Sequence, residues 1–173
     1  ACAALSSVSL ADGLRSIGNL AFWGTGLTSV TIPDSVTVIE NGAFFNCASL
    51  ETAVLPKNLT VLETNVFGSC GALTEITIPA GVTGIGDNAF RDAIRLETVD
   101  ASAARLTSVG REAFRDCAAL ETVRFPSGTL TEIGERAFYR CTALGAVVIP
   151  DSVTVLGEAT LAGSGVTAIT VGS

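Results

Sequence analysis

The 23-residue stretch LTSVTIPDSVTVIENGAFFNCAS, at residues 27–49, decides the fold because most of the chain repeats it. All five prolines fall at the seventh position of the repeated unit, and all five cysteines stand three residues before the next unit begins. A period of this length, carried by several residue types at once, predicts a solenoid of stacked units. The units open, 22 to 24 residues apart, at Leu5, Leu27, Leu50, Leu73, Leu96, Leu120, Leu144 and Val166.

Each unit has two apolar segments and a small turn. In the quoted unit, Leu27, Val30 and Ile32 are spaced as the inward side chains of a short strand, which the following proline ends. A second apolar run at 36–39 returns toward the core. The glycine that often follows predicts a bend into a short helical turn carrying an Ala-Phe pair, with Phe44 as the side chain that fills the coil.

Stacking these units predicts an α/β repeat fold, because one unit cannot bury its apolar face alone. We expect a solenoid of about seven coils, with a parallel β-sheet on the concave face and short helical turns or extended segments on the other side. The array is expected to form a single domain over residues 1–173, with a truncated unit at 1–4 and a partial unit at 166–173.

Composition excludes several functions. The chain has no histidine, which removes imidazole bases and histidine-ligated metals, and no nucleophile-base pair, phosphate loop or metal spacing is found. We therefore predict neither an enzyme nor a cofactor or metal. A net charge of −7 argues against nucleic acid as a partner. No apolar run approaches the roughly 20 residues of a membrane span, so direct membrane insertion is not expected.

The repeat resembles the BspA-like, or treponemal-type, leucine-rich repeats of bacterial surface proteins, on the joint recurrence of leucine, proline, Ala-Phe and cysteine. The resemblance covers essentially the whole chain and implies a leucine-rich-repeat solenoid. It also implies a secreted, surface or periplasmic protein that works in adhesion or protein-protein contact, with a host or matrix protein as the expected class of partner.

The outward positions of the first strand form the predicted partner surface. One interpretation is that this acidic, threonine-rich face is the docking surface for a basic protein segment. The alternative is that these residues have only a structural role. Threonine is favourable in parallel sheets, glutamate keeps the surface hydrated, and Asp100 pairs with Arg124 across neighbouring strands. The candidate residues are Glu51, Thr52, Glu75, Thr77, Glu97, Asp100, Glu121 and Arg124.

A second candidate surface follows the Ala-Phe pair, where the next side chain leaves the core. Trp23 and Phe45 occupy this position in neighbouring units, and Tyr139 occupies it further along. These aromatic side chains form a contact edge if exposed, or pack partly into the core if the turn rotates them inward. Arg91 and Arg115, each followed by aspartate, indicate a solvated row of ion pairs.

The cysteines and the ends of the array complete the predictions. Cys47 and Cys70, and likewise Cys117 and Cys141, fall in neighbouring coils, but parallel side chains one coil apart suit buried free thiols better than disulfides. The last strand, near 166–171, is expected to be an open sheet edge. The alternative function is therefore a structural, self-associating module that forms homo-oligomers through its ends and its aromatic edge.

Overall fold

A computed structural model describes residues 2–172 of the chain as a parallel β-solenoid of about seven turns. Ala1 and Ser173, the outermost residues of the predicted end units at 1–4 and 166–173, lie outside the described residues. The strands are β1 (Ser16–Ile17), β2 (Ser29–Thr31), β3 (Val38–Ile39), β4 (Thr52–Val54), β5 (Val61–Leu62), β6 (Glu75–Thr77), β7 (Gly84–Ile85), β8 (Thr98–Asp100), β9 (Ser108–Val109), β10 (Thr122–Arg124), β11 (Glu132–Ile133), β12 (Ala146–Ile149), β13 (Val155–Leu156) and β14 (Ala168–Val171).

The even-numbered strands form one wall of the solenoid, which we call the strand side. They are parallel and in register, so that Glu75, Thr98 and Thr122 are aligned across β6, β8 and β10. The ladder is divided into three hydrogen-bonded groups, β2–β4, β6–β8–β10 and β12–β14. The predicted parallel sheet is confirmed, with two interruptions that the repeat pattern did not indicate.

The odd-numbered strands form a second wall, which is held by a ladder of threonine hydroxyl groups. β5, β7, β9, β11 and β13 pair in sequence, and β1 pairs with β3. Thr83 Oγ1 donates to the carbonyl oxygen of Thr60 at 3.2 Å, Thr107 to that of Thr83 at 3.0 Å, and Thr131 to that of Thr107 at 3.0 Å. Threonine recurs at this position because its hydroxyl group satisfies a carbonyl of the preceding coil.

The predicted helical turns are wrong: no helix occurs within residues 2–172. The segment carrying the Ala-Phe pair, here called the turn side, is instead a run of tight turns. In each coil two residues four positions apart have positive φ, such as Asn88 at 55° and Asp92 at 59°. A left-handed residue at this spacing interrupts the consecutive right-handed conformations that a helix requires.

Backbone hydrogen bonds on the turn side alternate between the same coil and the next one. Phe45 N–H donates to the carbonyl oxygen of Gly42 within its own turn at 2.9 Å. Phe44 N–H donates to Val66 in the next coil at 3.0 Å, and Asn46 N–H donates to Gly68 there at 2.8 Å. Alternate N–H groups therefore stabilise the turn itself and its contact with the next coil. A helix, whose N–H groups bond internally, would leave none for the next coil.

The phenylalanine of each coil is stacked on that of the next. The prediction was that one such ring fills each coil. Neighbouring ring centroids lie 5.1 to 5.7 Å apart and the ring planes differ by 2 to 12°. Within the middle coils, Phe44, Phe67, Phe90, Phe114 and Phe138 are completely buried. The stack of rings is therefore the spine of the core.

The glycine after the second strand is required by close approach of the backbone and not by the bend that we expected. A Cβ atom on Gly110 would lie 2.6 Å from Asp87 N, and one on Gly157 would meet the backbone of Glu135. Such distances leave no room for a side chain between successive coils. Glycine at this position therefore allows close stacking in these coils, whereas Glu40 and Glu63 stand there in two others.

Candidate functional site

The predicted partner surface lies on the strand side, and its residues are brought together by the ladder. Asp100 is partly buried at the end of β8, opposite Arg124 at the end of β10. The other predicted residues are all exposed to solvent, and they are Glu51, Thr52, Glu75, Thr77, Glu97, Glu121 and Arg124.

Asp100 is engaged within the protein. Its Oδ1 accepts hydrogen bonds from Ser102 N–H at 3.0 Å and from the Ser102 hydroxyl group at 2.7 Å. These bonds, with a smaller contribution from Arg124, lower the pKa of the Asp100 carboxyl group below its ordinary value. Arg124 Nη1 lies 3.9 Å from Asp100 Oδ2. The predicted cross-strand pair is thus confirmed, and it is an exposed and loose one.

The glutamates of this surface have no cationic partner in the described part of the chain. No Lys or Arg nitrogen of residues 2–172 lies within 4.0 Å of the carboxylates of Glu51, Glu75, Glu97 or Glu121. Glu75 begins β6, and Glu97 and Glu121 immediately precede β8 and β10, so all three lie along the uninterrupted part of the ladder. We call this part, with Glu75, Glu97 and Glu121, the acidic panel.

Grooves that sequence reasoning missed lie at both interruptions of the ladder, and two of them are described by their lining. The first, between β4 and β6, has a volume of about 430 Å³ and is lined by Ala53, Val54, Leu55 and Ile76 among others. The second, between β10 and β12, has a volume of about 330 Å³. Its lining includes Val123, Phe125, Pro126, Val148 and Pro150. The signal was present at Ala53, which stands where other units have Val or Ile.

The predicted aromatic edge is divided in the structure. Trp23 is 43% exposed, whereas Phe45 is half-buried with its ring against Gly68 of the next coil. Tyr139 packs against two guanidinium groups, with Arg115 Cζ at 5.5 Å and Arg140 Cζ at 5.1 Å from its ring centroid. The three side chains therefore do not share one environment, and Trp23 is the most exposed of them.

The arginine row of the turn side is a network of ion pairs, as predicted, but its centre is a glutamate that the sequence did not single out. Glu112 is 8% exposed and accepts from Arg91 Nη1 at 3.3 Å and from Arg115 Nη1 at 3.0 Å. Arg115 Nε also lies 3.0 Å from Asp116 Oδ2. The positive charges of this region are thus largely neutralised by the protein itself.

Four cysteines are buried as free thiols, and each donates a hydrogen bond to a phenylalanine carbonyl oxygen of the preceding coil. Cys70 Sγ donates to Phe44 O at 3.2 Å, and Cys141 Sγ donates to Phe114 O at 3.1 Å. Burial raises the pKa of the Cys141 thiol to about 12. Cys2 is exposed. The buried thiols are therefore poor nucleophiles that serve the stack.

Groups able to hold a metal ion were sought among residues 2–172, and no set of three His, Cys, Asp or Glu side chains is suitably arranged there. In the same residues no helix has the length and hydrophobicity that crossing a membrane would require. What the site offers chemically is thus carboxylates, threonine hydroxyl groups and small apolar grooves.

Comparison with known proteins places the repeat in one family. Residues 1–97 and 62–173 match the model of the BspA type leucine rich repeat region, in six copies. Comparison with curated protein sequences finds no match.

Solved bacterial structures share the fold. A leucine-rich repeat protein from T. pallidum is 29% identical, with a TM-score of 0.76 over 90% of this chain and 73% of that one. A leucine-rich cell surface protein from Faecalibacterium prausnitzii is 27% identical, with a TM-score of 0.67 over 96% of this chain and 54% of that one. A leucine-rich repeat protein from Bacteroides ovatus is 26% identical, with a TM-score of 0.56, over 99% of this chain and 64% of that one.

Proposed function

The chain belongs to the BspA-type leucine-rich repeat family, and we propose that it is a non-enzymatic module that binds a partner protein through its concave strand side. Leucine-rich repeats of this family are generally scaffolds for protein interaction, without catalysis of their own. We infer from the chemistry of the surface that binding takes place on the strand side and that the role is adhesin-like.

The observation that carries the proposal is the acidic panel. The turn side neutralises Arg91 and Arg115 with Glu112, whereas Glu75, Glu97 and Glu121 have no cation within 4.0 Å in the described residues. Exposed carboxylates clustered on neighbouring coils attract a complementary surface and fix its register. A partner with a basic segment is thus favoured over an acidic one.

A surface or secreted location fits this role. The F. prausnitzii relative is described as a cell surface protein, and the family resemblance implies contact with host or matrix proteins. We propose the same compartment for this chain, with a protein of the host surface or extracellular matrix as partner.

The test is charge reversal with a matched control. Changing Glu75, Glu97 and Glu121 to Lys should weaken binding to immobilised matrix or host-surface proteins by about tenfold or more, because attraction becomes repulsion. The control changes three exposed glutamates away from the strand side to Lys, which alters the net charge of the protein by the same amount. These are Glu63, Glu132 and Glu158.

The control variant should bind as the unchanged chain does. Equal loss of binding in both variants would mean that net charge alone matters, and the concave surface would no longer be supported. Retention of binding by the strand-side variant would contradict the proposal directly.

Self-association is the second candidate function, favoured by exposed apolar side chains on the last strands. On β14, Ile169 is 53% exposed and Val171 is 70% exposed, and Leu156 of β13 is 53% exposed. An uncovered strand with such side chains can pair with another chain. Light scattering over a range of concentrations should show dimers that Ile169→Lys abolishes. A monomer at every concentration would rule this function out.

A further inference from the structure

On the strand side, the backbone N–H of the sixth residue of each unit is placed to form the last hydrogen bond between one coil and the next. The acceptor is the carbonyl oxygen of the fifth residue of the next unit. Three such bonds join Ile32 to Val54 at 3.0 Å, Ile78 to Asp100 at 2.8 Å and Ala101 to Arg124 at 2.8 Å. In the seventh unit the sixth residue, Ile149, is paired with β14 as part of β12.

The other three coils lack this bond, and a groove lies at each of these places. Leu55 and Thr77 line the first groove, and Phe125 and Val148 line the second. A third groove, of about 340 Å³ between the first coil and β2, is lined by Leu10 and Thr31. Within residues 2–172, no hydrogen bond joins the N–H to the carbonyl oxygen in any of these pairs, which we call the open links. Each open link therefore leaves one backbone donor and one backbone acceptor at the wall of a groove.

The type of the sixth residue separates the open links from the closed ones. It is Ile or Ala in the four units that pair with the next coil, and Leu or Phe in the three that do not. Isoleucine branches at Cβ, close to its own backbone, whereas leucine and phenylalanine branch at Cγ and extend farther from it. Ala53 accompanies the first groove alone, so the sixth residue is the more general signal.

The charged side chains around the three open links have no common sign. The first groove is lined by Glu75 and Lys57, the second by Arg124 and the third by Asp12. Charge therefore selects no occupant that would suit all three grooves. What they share is apolar side chains beside one backbone donor and one backbone acceptor, which favours a neutral polar group.

A group that completes an open link must accept a hydrogen bond from the N–H and donate one to the carbonyl oxygen. A carboxylate only accepts, and ammonium and guanidinium groups only donate. A trans main-chain amide has its N–H and its carbonyl oxygen on opposite sides, and a hydroxyl group must reach both partners with a single oxygen. The primary carboxamide of Asn or Gln presents an acceptor oxygen and a donor NH₂ on one edge, so it matches the open link best.

We propose that the open links are binding sites for primary carboxamide groups, and that the one formed by Leu55 and Thr77 takes an Asn or Gln side chain of the partner protein. This open link is the one chosen because Glu75, a member of the acidic panel, lines the same groove. The carboxamide would thus enter at the border of the surface that binds the partner. The assignment to a partner side chain rests on the proposed function, which it deepens.

The probe is N-acetyl-glutamine N-methylamide, titrated into the isotopically labelled full chain while backbone amide signals are followed by NMR. The control is the γ-methyl ester of the corresponding glutamate compound, which is neutral and accepts hydrogen bonds at its side chain but cannot donate them. The amide signals of Leu10, Leu55 and Phe125 should shift and saturate with a roughly millimolar dissociation constant, as expected for so small a ligand. The ester should bind about fivefold more weakly, because the bond to the carbonyl oxygen is lost. Equal affinity for the two compounds, or no shift at these three amides, would overturn the proposal.

Leu55→Ile is the matched protein variant, because it moves the branch point to Cβ and conserves the volume of the side chain. The amide signal of residue 55 should no longer respond to the probe, while those of Leu10 and Phe125 respond as before. Ile78→Leu is the reverse change, and it should create a response at residue 78. A response that persists at residue 55 in the first variant, or that fails to arise at residue 78 in the second, would overturn the assignment of the open links.

The two levels of the proposal fail separately. Leu55→Ile should also weaken binding of matrix or host-surface proteins about fivefold or more, because the partner side chain loses its hydrogen bonds. If this variant binds those proteins normally while reversal of the acidic panel abolishes binding, the proposed function stands and no partner carboxamide occupies the first groove. If the panel variant binds them normally, the proposed function fails, and the response to the probe alone decides whether the open links bind carboxamides.

Discussion

The strand side and the turn side are built from the same repeats, yet they differ in regularity and in charge. The turn side has a continuous stack of phenylalanine rings and hydrogen bonds that pass from coil to coil without interruption. Its arginines are paired with Glu112 and Asp116. The strand side is interrupted twice, and its glutamates have no cation within 4.0 Å in the described residues.

The difference separates the part of each coil that holds the stack from the part that is free to vary. The turn side is constrained both within each coil and by the next coil, because its N–H groups bond alternately to the one and to the other. An outward residue on the strand side contributes little to burial, so Glu, Thr, Asp or Arg are equally compatible with the fold there. A partner surface can therefore develop on the strand side without loss of stability.

The largest expected effect is on the turn side. Phe90→Ala should lower the free energy of unfolding by about 3 to 5 kcal/mol, because the ring is fully buried between Phe67 and Phe114 and its removal leaves a cavity. Urea unfolding followed by circular dichroism measures the change. The strand-side control Val54→Ala, at a side chain 56% exposed, should cost less than about 1 kcal/mol. Similar costs at the two positions would contradict the contrast between the sides.

The next prediction concerns the buried thiols, which stabilise the turn side only while they are protonated. Burial raises the pKa of Cys141 from an ordinary value of 9.0 to about 12, and it raises those of Cys47, Cys70 and Cys117 as well. Above pH 9.0 the unfolded chain releases these protons while the folded chain retains them. The free energy of unfolding should therefore fall as pH rises from 9 toward 12, by up to about 1.4 kcal/mol per pH unit for each thiol.

Cys141→Ala is the matched variant, because Ala93 occupies the same position in another unit. Urea unfolding at several pH values should give it a smaller decrease above pH 9.0 than the unchanged chain, since one thiol fewer titrates. Identical pH dependence in the two chains would show that the thiol at 141 does not retain its proton.

The sequence was sufficient to predict the repeat, the parallel strands, the buried phenylalanine of each coil and the ion pairs beside Arg91 and Arg115. Those features follow from residue types that recur at fixed positions. The turns were misassigned because an Ala-Phe pair after glycine suits a helix locally, whereas the alternation of bonds to the next coil is decided only by stacking. Asn46, Asn88 and Asp92 were the available signal, since these residue types tolerate positive φ.

The candidate surface was predictable as a set of outward positions, but its division into grooves and panel was not. Whether Ala53 leaves a groove or is compensated by its neighbours depends on how β4 and β6 pack, which a period in the sequence does not encode. Glu112 was missed for a related reason. Nothing in its spacing indicates that a carboxylate beside the Ala-Phe pair is buried between two guanidinium groups from neighbouring coils.

A matched pair of glutamates tests the contrast in charge. Glu112→Gln should lower the free energy of unfolding by about 1 to 2 kcal/mol, because it removes the charge that both Arg91 and Arg115 face. Glu75→Gln should change it by less than about 0.5 kcal/mol, since no cation of the described residues pairs with Glu75. Unfolding should be measured at low and high salt, and the difference in free energy between the two variants should be smaller at high salt. A larger cost at Glu75 would mean that the strand side depends on its carboxylates for stability.

The smallest expected effect concerns the left-handed residues of the turn side. Ala159 has a φ of 53°, at a position where another coil has Gly42, so Ala159→Gly should raise the free energy of unfolding by up to about 1 kcal/mol through relief of strain. The reverse change four residues later, Gly163→Ala, should lower it, because φ there is 71° and the new Cβ would lie 3.2 Å from Arg140 Cγ. Thermal unfolding resolves shifts of this size. If both changes destabilise the protein, the greater freedom of glycine in the unfolded chain outweighs the strain at Ala159, and positive φ is a minor cost in these turns.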